Sequence, residues 1–299
     1  MRRSIFRLFI IDIDSDIIAV SGNREKNFVR HQSYLNYQER RPDNMDYKNL
    51  FDFKSKKVLV TGGTGTLGAE FACAFAACGA DIVISGRDLQ RAEDVLKRCR
   101  SYGSKSEFIQ CDLSDVSKIA DMVERTSGIL GGIDILCNHA GFSIHKPAVE
   151  CTEEDWDRLI EIDLKAPFFI ACETAKVMKE NKWGRIINTA SVSSARGHKN
   201  LSVYASAKGG ISQMTKVLAN EWAAEGITVN AVAPGYVPSA QTSDLINDET
   251  KKKELLAGIP LGRFGKPEEI AAVVLFLASP GGSYITGQTI YVEGGRLID

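Results

Sequence analysis

The sequence predicts an α/β fold: a doubly wound, seven-stranded parallel sheet with helices on both faces. Three observations predict it. Short β-branched runs alternate with longer helical patterns from residue 56 onward, which demands right-handed βαβ crossovers. A glycine-rich turn follows the first of those runs directly. The alternating part spans about 245 residues, a length that suits one large domain of this architecture.

The elements follow in order. KVLVT at 57–61 is the first strand and residues 67–78 the first helix. DIVIS at 81–85 is the second strand, followed by a helix over 89–99. SEFIQ at 106–110 precedes a helix near 116–126. DILCN at 134–138, RIINTA at 185–190, ITVNAV at 227–232 and QTIYV at 288–292 complete the sheet. Helical patterns at 153–180, 203–224 and 267–278 separate them.

Residues 1–54 read differently. An apolar stretch from Phe6 to Val20 leads into a polar one without helical periodicity. They are expected to be a poorly packed extension ahead of the alternating α/β domain at 55–299. Met45 opens the phrase MDYKNLFDFKSKKVLVTGG, which reads like a domain start, so residues 1–44 could stem from a misread start codon. The rival reading is a strand or partner-binding arm over residues 9–20.

Composition narrows the function classes. The 299 residues are 44% hydrophobic and 25% charged, which excludes a disordered chain. A formal net charge of −1 gives no global attraction to nucleic acid or anionic lipid. Seven cysteines without a CxxC pair suggest reduced thiols and a cytoplasmic protein. The four histidines lack zinc-ligand spacing, and no metal is expected. The longest apolar run, 270–278, is far short of the ~20 residues of a membrane helix. Charges interrupt the N-terminal apolar stretch, so it does not read as a signal peptide.

The turn after the first strand is Thr61-Gly62-Gly63-Thr64-Gly65-Thr66-Leu67-Gly68. Glycines there let the backbone approach a pyrophosphate, and the following helix aims its free N–H groups at it. No Lys follows, which excludes a P-loop. This is the phosphate turn of a Rossmann-type dinucleotide site. The second strand ends in Ser85-Gly86-Arg87 rather than a carboxylate, so a 2′-phosphate suits it and NADP(H) is preferred, with NAD(H) the alternative. Asp112, with Leu113, follows the third strand and is placed to meet the adenine edge.

Tyr204 and Lys208 stand four residues apart early in a helix and share one face. Ser191 ends the fifth strand at the same sheet edge. Hydride transfer to a ketone leaves an alkoxide that needs a proton. A phenol supplies it if a nearby ammonium favours phenolate, lowering its pKa by roughly 1–3 units. An oxidised nicotinamide would push the same way. Ser191 can donate to the carbonyl oxygen as charge develops.

With these motifs, residues 55–299 resemble the short-chain dehydrogenase/reductase family. Asn138-His139-Ala140-Gly141, Pro234-Gly235, Gly287 and Gly294-Gly295 add to the likeness. The resemblance implies that Lys208 also binds the nicotinamide ribose, that Asn138 steadies the sheet, and that Asn138, with Ala140 and Gly141, lines the cofactor site. It implies that the backbone after Pro234, through Gly235 and Val237, meets the nicotinamide amide, and that the protein is a homotetramer.

Four departures stand out. Thr66 replaces the middle glycine of the first motif. His139 replaces a second Asn. Glu293 stands where Asp is common, with a structural role. Asp163 occupies the place of the family's fourth catalytic residue, an Asn, and its charge is expected to move the pH optimum.

Residues 235–265 are expected to form a polar lid. LANEWAAEGITVNAVAPGYV is similar to the gluconate 5-dehydrogenase and 2-dehydro-3-deoxygluconate 5-dehydrogenase branch. A sugar acid such as gluconate or 5-ketogluconate is the expected small-molecule substrate, met by His145, Ser191, Tyr236 and Gln241. The alternatives are a 3-oxoacyl-carrier-protein reductase, which shares PLGRFGKPEEIA and would need a basic patch such as Arg263 with Lys266, or a non-catalytic NADP-binding sensor.

Overall fold

Strand and helix alternate from Lys57 to Val292. The computed structural model describes residues 45–239, 242–243 and 247–298. The strands β1 (Lys57–Thr61), β2 (Asp81–Gly86), β3 (Ser106–Gln110), β4 (Ile135–Asn138), β5 (Gly184–Thr189), β6 (Ile227–Pro234) and β7 (Thr289–Val292) form one sheet. Its order is β3-β2-β1-β4-β5-β6-β7, and every neighbouring pair is parallel. The chain winds outward from β1 to β3, returns to β4 beside β1, and winds out the other way. That reversal opens a crevice at the carboxyl ends of β1 and β4.

Helices α1 (Thr66–Ala77), α2 (Leu89–Ser101) and α8 (Pro267–Ala278) cover one face. Phe71 and Phe75, one turn apart on α1, are buried there with Leu96, Val274 and Leu277. Helices α3 (Ile119–Leu130), α5 (Ala166–Asn181) and α6 (Ser202–Trp222) cover the other, burying Met122, Ile170, Met178 and Leu218. Each fully buried large apolar side chain contributes about 1.5–3 kcal/mol relative to exposure.

Residues Tyr47–Asp299 form one compact unit; residues 1–44, with the arm read at 9–20, lie outside the described residues. Phe53, which the sequence places in the extension, is buried against Phe75 with ring centroids 5.0 Å apart.

Three elements differ from expectation. The pattern at 116–126 is a 3-10 turn (Val116–Lys118) followed by α3, which runs on to Leu130 and stops at Gly131, φ 75°. The polar segment 235–265 contains a helix, α7 (Glu249–Ala257), started by Asp248, whose carboxylate accepts from the N–H of Thr250 and Lys251. The helix expected over 153–180 is broken into α4 (Glu153–Ile160), a π turn (Glu161–Lys165) and α5. Pro167 explains the break: it has no N–H to give the carbonyl of Asp163, so the regular i to i−4 ladder cannot continue.

Among the described residues, no helix is long and apolar enough to cross a membrane, and no three His, Cys, Asp or Glu side chains gather to hold a metal ion.

Candidate active site

The crevice contains a cleft of about 140 Å³. Tyr204 and Lys208 reach it from the first turns of α6, and Ser191 from the residue pair after β5. Burial of Val203, Ala207 and Ile211 fixes the rotation of α6 and turns Lys208 inward with them. Tyr204 is half-buried, and Lys208 Nζ lies 5.7 Å from its ring centroid.

Lys208 is 4% exposed, and its Nζ donates to the Thr189 carbonyl at 3.0 Å. The same ammonium lies 3.1 Å from Asp163 Oδ2, at ion-pair distance but off the hydrogen-bond angle. Asp163 is 0% exposed, and its Oδ1 accepts from the Phe142 N–H at 2.9 Å. The π turn carries this carboxylate into the cleft wall, with its Oδ2 2.7 Å from where a side chain at Gly141 would begin.

Burial pushes the Asp163 carboxyl upward; Lys208 and the Phe142 N–H pull it back. Lys208 itself is held above its ordinary value, because Asp163 and the Tyr204 oxygen outweigh its burial. The sequence expectation for Tyr204 was a lowered phenol. Here burial raises it, Asp163 adds to that, and the pull of Lys208 and the Ser191 hydrogen bond does not compensate. Burial and the Lys208 charge push His139 down to about 3, so its ring is neutral.

The glycine-rich turn leads into α1, whose Leu67 lines the cleft. Gly62 has φ +67°, and a Cβ there would lie 2.8 Å from Ala140 Cα. A Cβ at Gly68 would lie 2.3 Å from the Gly62 carbonyl oxygen. Gly65 caps α1 without any side-chain acceptor, so no side chain satisfies the first-turn N–H groups of Thr66, Leu67 and Gly68.

The remaining expected residues divide. His145, Gly141, Leu67, Pro234, Gly235, Tyr236 and Val237 line the cleft. Arg87 is exposed just beyond the β2 tip, where Gly86 faces Thr64. Asp112 follows β3; its carboxyl is lowered by the N–H and hydroxyl of Ser114 and, more weakly, by Arg87.

Others turn their side chains into the fold. Thr61 Oγ1 accepts from the N–H of His139 and Ala140 at 3.0 and 3.2 Å, tying β1 to β4. Asn138 donates to the Pro167 carbonyl at 2.7 Å and to Asn188 at 3.2 Å, so it braces the sheet and does not reach the cleft. Gly63 packs under Ile84, and Leu113 joins the core. Glu293 accepts from the Leu297 N–H at 3.0 Å. Gln241 lies outside the described residues. Sequence reasoning missed Ser193 and His198, which also line the cleft; nothing in a serine-rich loop marked them.

A family model described as enoyl-(acyl carrier protein) reductase matches residues 63–296. The 2-dehydro-3-deoxy-D-gluconate 5-dehydrogenase of Dickeya dadantii is 36% identical over 250 residues, 83% of this chain and 98% of the relative. The chain belongs to the short-chain dehydrogenase/reductase family. It is accordingly an oxidoreductase of the kind that acts on CH–OH groups. The 3-oxoacyl-[acyl-carrier-protein] reductase FabG of Rickettsia felis is 37% identical over 250 residues, 83% of this chain and 100% of the relative. A proposed 2-deoxy-D-gluconate 3-dehydrogenase of Agrobacterium tumefaciens, solved with bound NADP, superposes with a TM-score of 0.78. It is 36% identical, over 84% of this chain and 100% of the neighbour.

Proposed function

We propose that this short-chain dehydrogenase/reductase interconverts a secondary alcohol and a ketone on a sugar acid with NADP(H). The carrying observation is the set of Ser191, Tyr204 and Lys208 in a cleft that Leu67, in the uncapped first turn of α1, also lines. The residues fit a dinucleotide. The positive φ of Gly62 and the open N–H groups after Gly65 leave bare backbone for a pyrophosphate. Thr64, Gly65, Thr66 and Leu67 would hold the phosphates, Arg87 the 2′-phosphate, and Asp112 the adenine. Lys208 would hold the nicotinamide ribose, and the backbone of Gly235 and Val237 the carboxamide. When bound, the cofactor supplies or takes up the hydride.

The protein's own residues handle the proton. In reduction Tyr204 gives its phenolic proton to the substrate oxygen, and Ser191 donates to that oxygen as charge develops. Lys208 steadies the phenolate left behind, and Asp163 keeps Lys208 charged and in place.

A pH dependence follows. With its phenol raised, Tyr204 stays protonated through neutral pH, ready for reduction. Oxidation needs the phenolate and is expected to rise with pH toward the alkaline range. The negative charge of Asp163 disfavours phenolate, so its removal lowers the Tyr204 pKa. Asp163→Asn is therefore expected to shift the rising limb of kcat for oxidation to lower pH. An unchanged limb in the pH–rate profile would show that the charge does not reach Tyr204.

Cofactor choice rests on Arg87. A guanidinium paired with phosphate contributes about 1.5–3 kcal/mol. Arg87→Ala is expected to raise KM for NADPH about 10- to 100-fold while KM for NADH stays near its original value. Equal losses would remove the case for NADP.

The sugar-acid reading draws on the names of the relatives at 35–36% identity, and the carrier-protein reading on relatives at 36–38%. Against the second, Arg263 is occupied: it holds Glu269 through two hydrogen bonds of 2.6 and 2.8 Å. A panel of ketogluconates, neutral ketoses and oxoacyl thioesters, run with both cofactors and followed by reduced-cofactor absorbance, tests the reading. Turnover confined to the thioesters would replace it.

A further inference from the structure

We infer that Ser193, His198 and Arg296 form a binding site for a carboxylate on the substrate, at the end of the cleft next to Ser191. This rests on the reading of the cleft as a carbonyl-reducing site and names a group that the substrate must carry near its carbonyl.

The argument begins with which atoms can donate. A guanidinium has donors only. Arg296 Nε lies 3.5 Å from His198 Nε2, so that ring nitrogen accepts. The imidazole is neutral, since burial and the charges of Arg296 and Arg196 disfavour its protonated form. Its one proton therefore sits on Nδ1, which is 3.1 Å from Ser193 Oγ. Ser193 Oγ accepts that proton and keeps its own hydroxyl hydrogen free. Ser193 and His198 both line the cleft, so the hydroxyl can donate into it. Each bond in the chain from Arg296 to His198 to Ser193 polarises the next, and the terminal hydroxyl becomes a strong donor. The Ser193 N–H meanwhile donates to Ser191 Oγ at 3.1 Å, which fixes this donor beside the reaction centre.

Charge indicates the acceptor. Arg196 donates to the Arg296 carbonyl, so two half-buried guanidinium groups stand near His198. Among the described residues, every ion pair involves other cations. Positive charge behind the cleft-lining His198, without a fixed counter-ion among the described residues, attracts an anion. A carboxylate satisfies both the charge and the donor.

Arg296 also anchors the surroundings. It lies 4.8 Å over the ring of Tyr236, a cleft residue, and donates toward the carbonyls of Leu255 and Gly258 at 3.5 and 3.4 Å, at the end of α7. Arg296 and His198 are thus positioning residues, and Ser193 is the contact.

Calorimetry on the full chain with D-gluconate and its neutral counterpart D-glucitol tests the site. Gluconate is expected to bind at least about tenfold more tightly than glucitol, as a charge-assisted hydrogen bond would give. Ser193→Ala and Arg296→Gln should each weaken gluconate about tenfold or more and leave glucitol within about twofold. Because Arg296 also braces α7, Ser193→Ala, which removes a single oxygen, is the decisive variant. Gluconate binding no tighter than glucitol overturns the proposal, as do equal losses of both ligands in Ser193→Ala. The two readings fail separately. Turnover of ketoses without preference for acids defeats the carboxylate site alone. Selective gluconate binding without turnover of any carbonyl compound defeats the reductase reading alone.

Discussion

Tyr204→Phe is expected to lower kcat about 100- to 10,000-fold, the usual contribution of a positioned general acid. The phenol is the group in the cleft with a transferable proton beside both Ser191 and Lys208. His139 stays neutral, and its Nδ1 is occupied with Thr189 Oγ1 at 3.1 Å. Phenylalanine fills the same space, so α6 and the cleft should keep their shape. The measurement is paired: turnover on the best substrate of the panel, and NADPH binding by fluorescence. Loss of turnover with binding retained supports the assignment. Turnover within about tenfold of the parent would remove Tyr204 as proton donor.

Lys208→Met is expected to abolish turnover and also to cost stability. It strips the cation from Asp163, a carboxylate with no exposure to solvent. Breaking one side of a buried pair costs about 3–5 kcal/mol. The sign of the pH effect follows from burial, which raises the Asp163 pKa in the folded state. A group raised in the fold contributes its stability at low pH and loses it as pH rises through the folded value. Urea unfolding of Lys208→Met should therefore show a larger deficit at pH 8 than at pH 5. Adding Asp163→Asn should recover much of the stability and none of the turnover. A deficit that does not change with pH would mean that Asp163 is not carrying the uncompensated charge.

Much of this molecule was legible from local chemistry. Strand runs such as KVLVT and SEFIQ coincide with β1 and β3, because short β-branched segments between glycine or polar breaks have few alternatives. The helix 267–278 coincides with α8, with Pro267 at its first turn. The break at Glu161–Lys165 was not legible as a π turn, although Pro167 was in view; only packing decides how a helix accommodates a missing N–H. Helix α7 was missed because a short, mostly polar run carries little periodicity, and Asp248 was its sole start signal. Ser193, His198 and Arg296 were missed for a different reason: 98 residues separate the last two.

The sequence by itself determined the order of elements, the glycine-rich turn, and the residue types that can move a proton. These follow from backbone sterics, periodicity and functional groups, which are local properties. The tertiary structure alone decided which side chains face the cleft and which brace the sheet, as with Thr61. It also decided that Tyr204 is raised and that Asp163 pairs with Lys208. Burial and charge proximity set those outcomes, and both depend on distances between atoms that the linear chain does not specify.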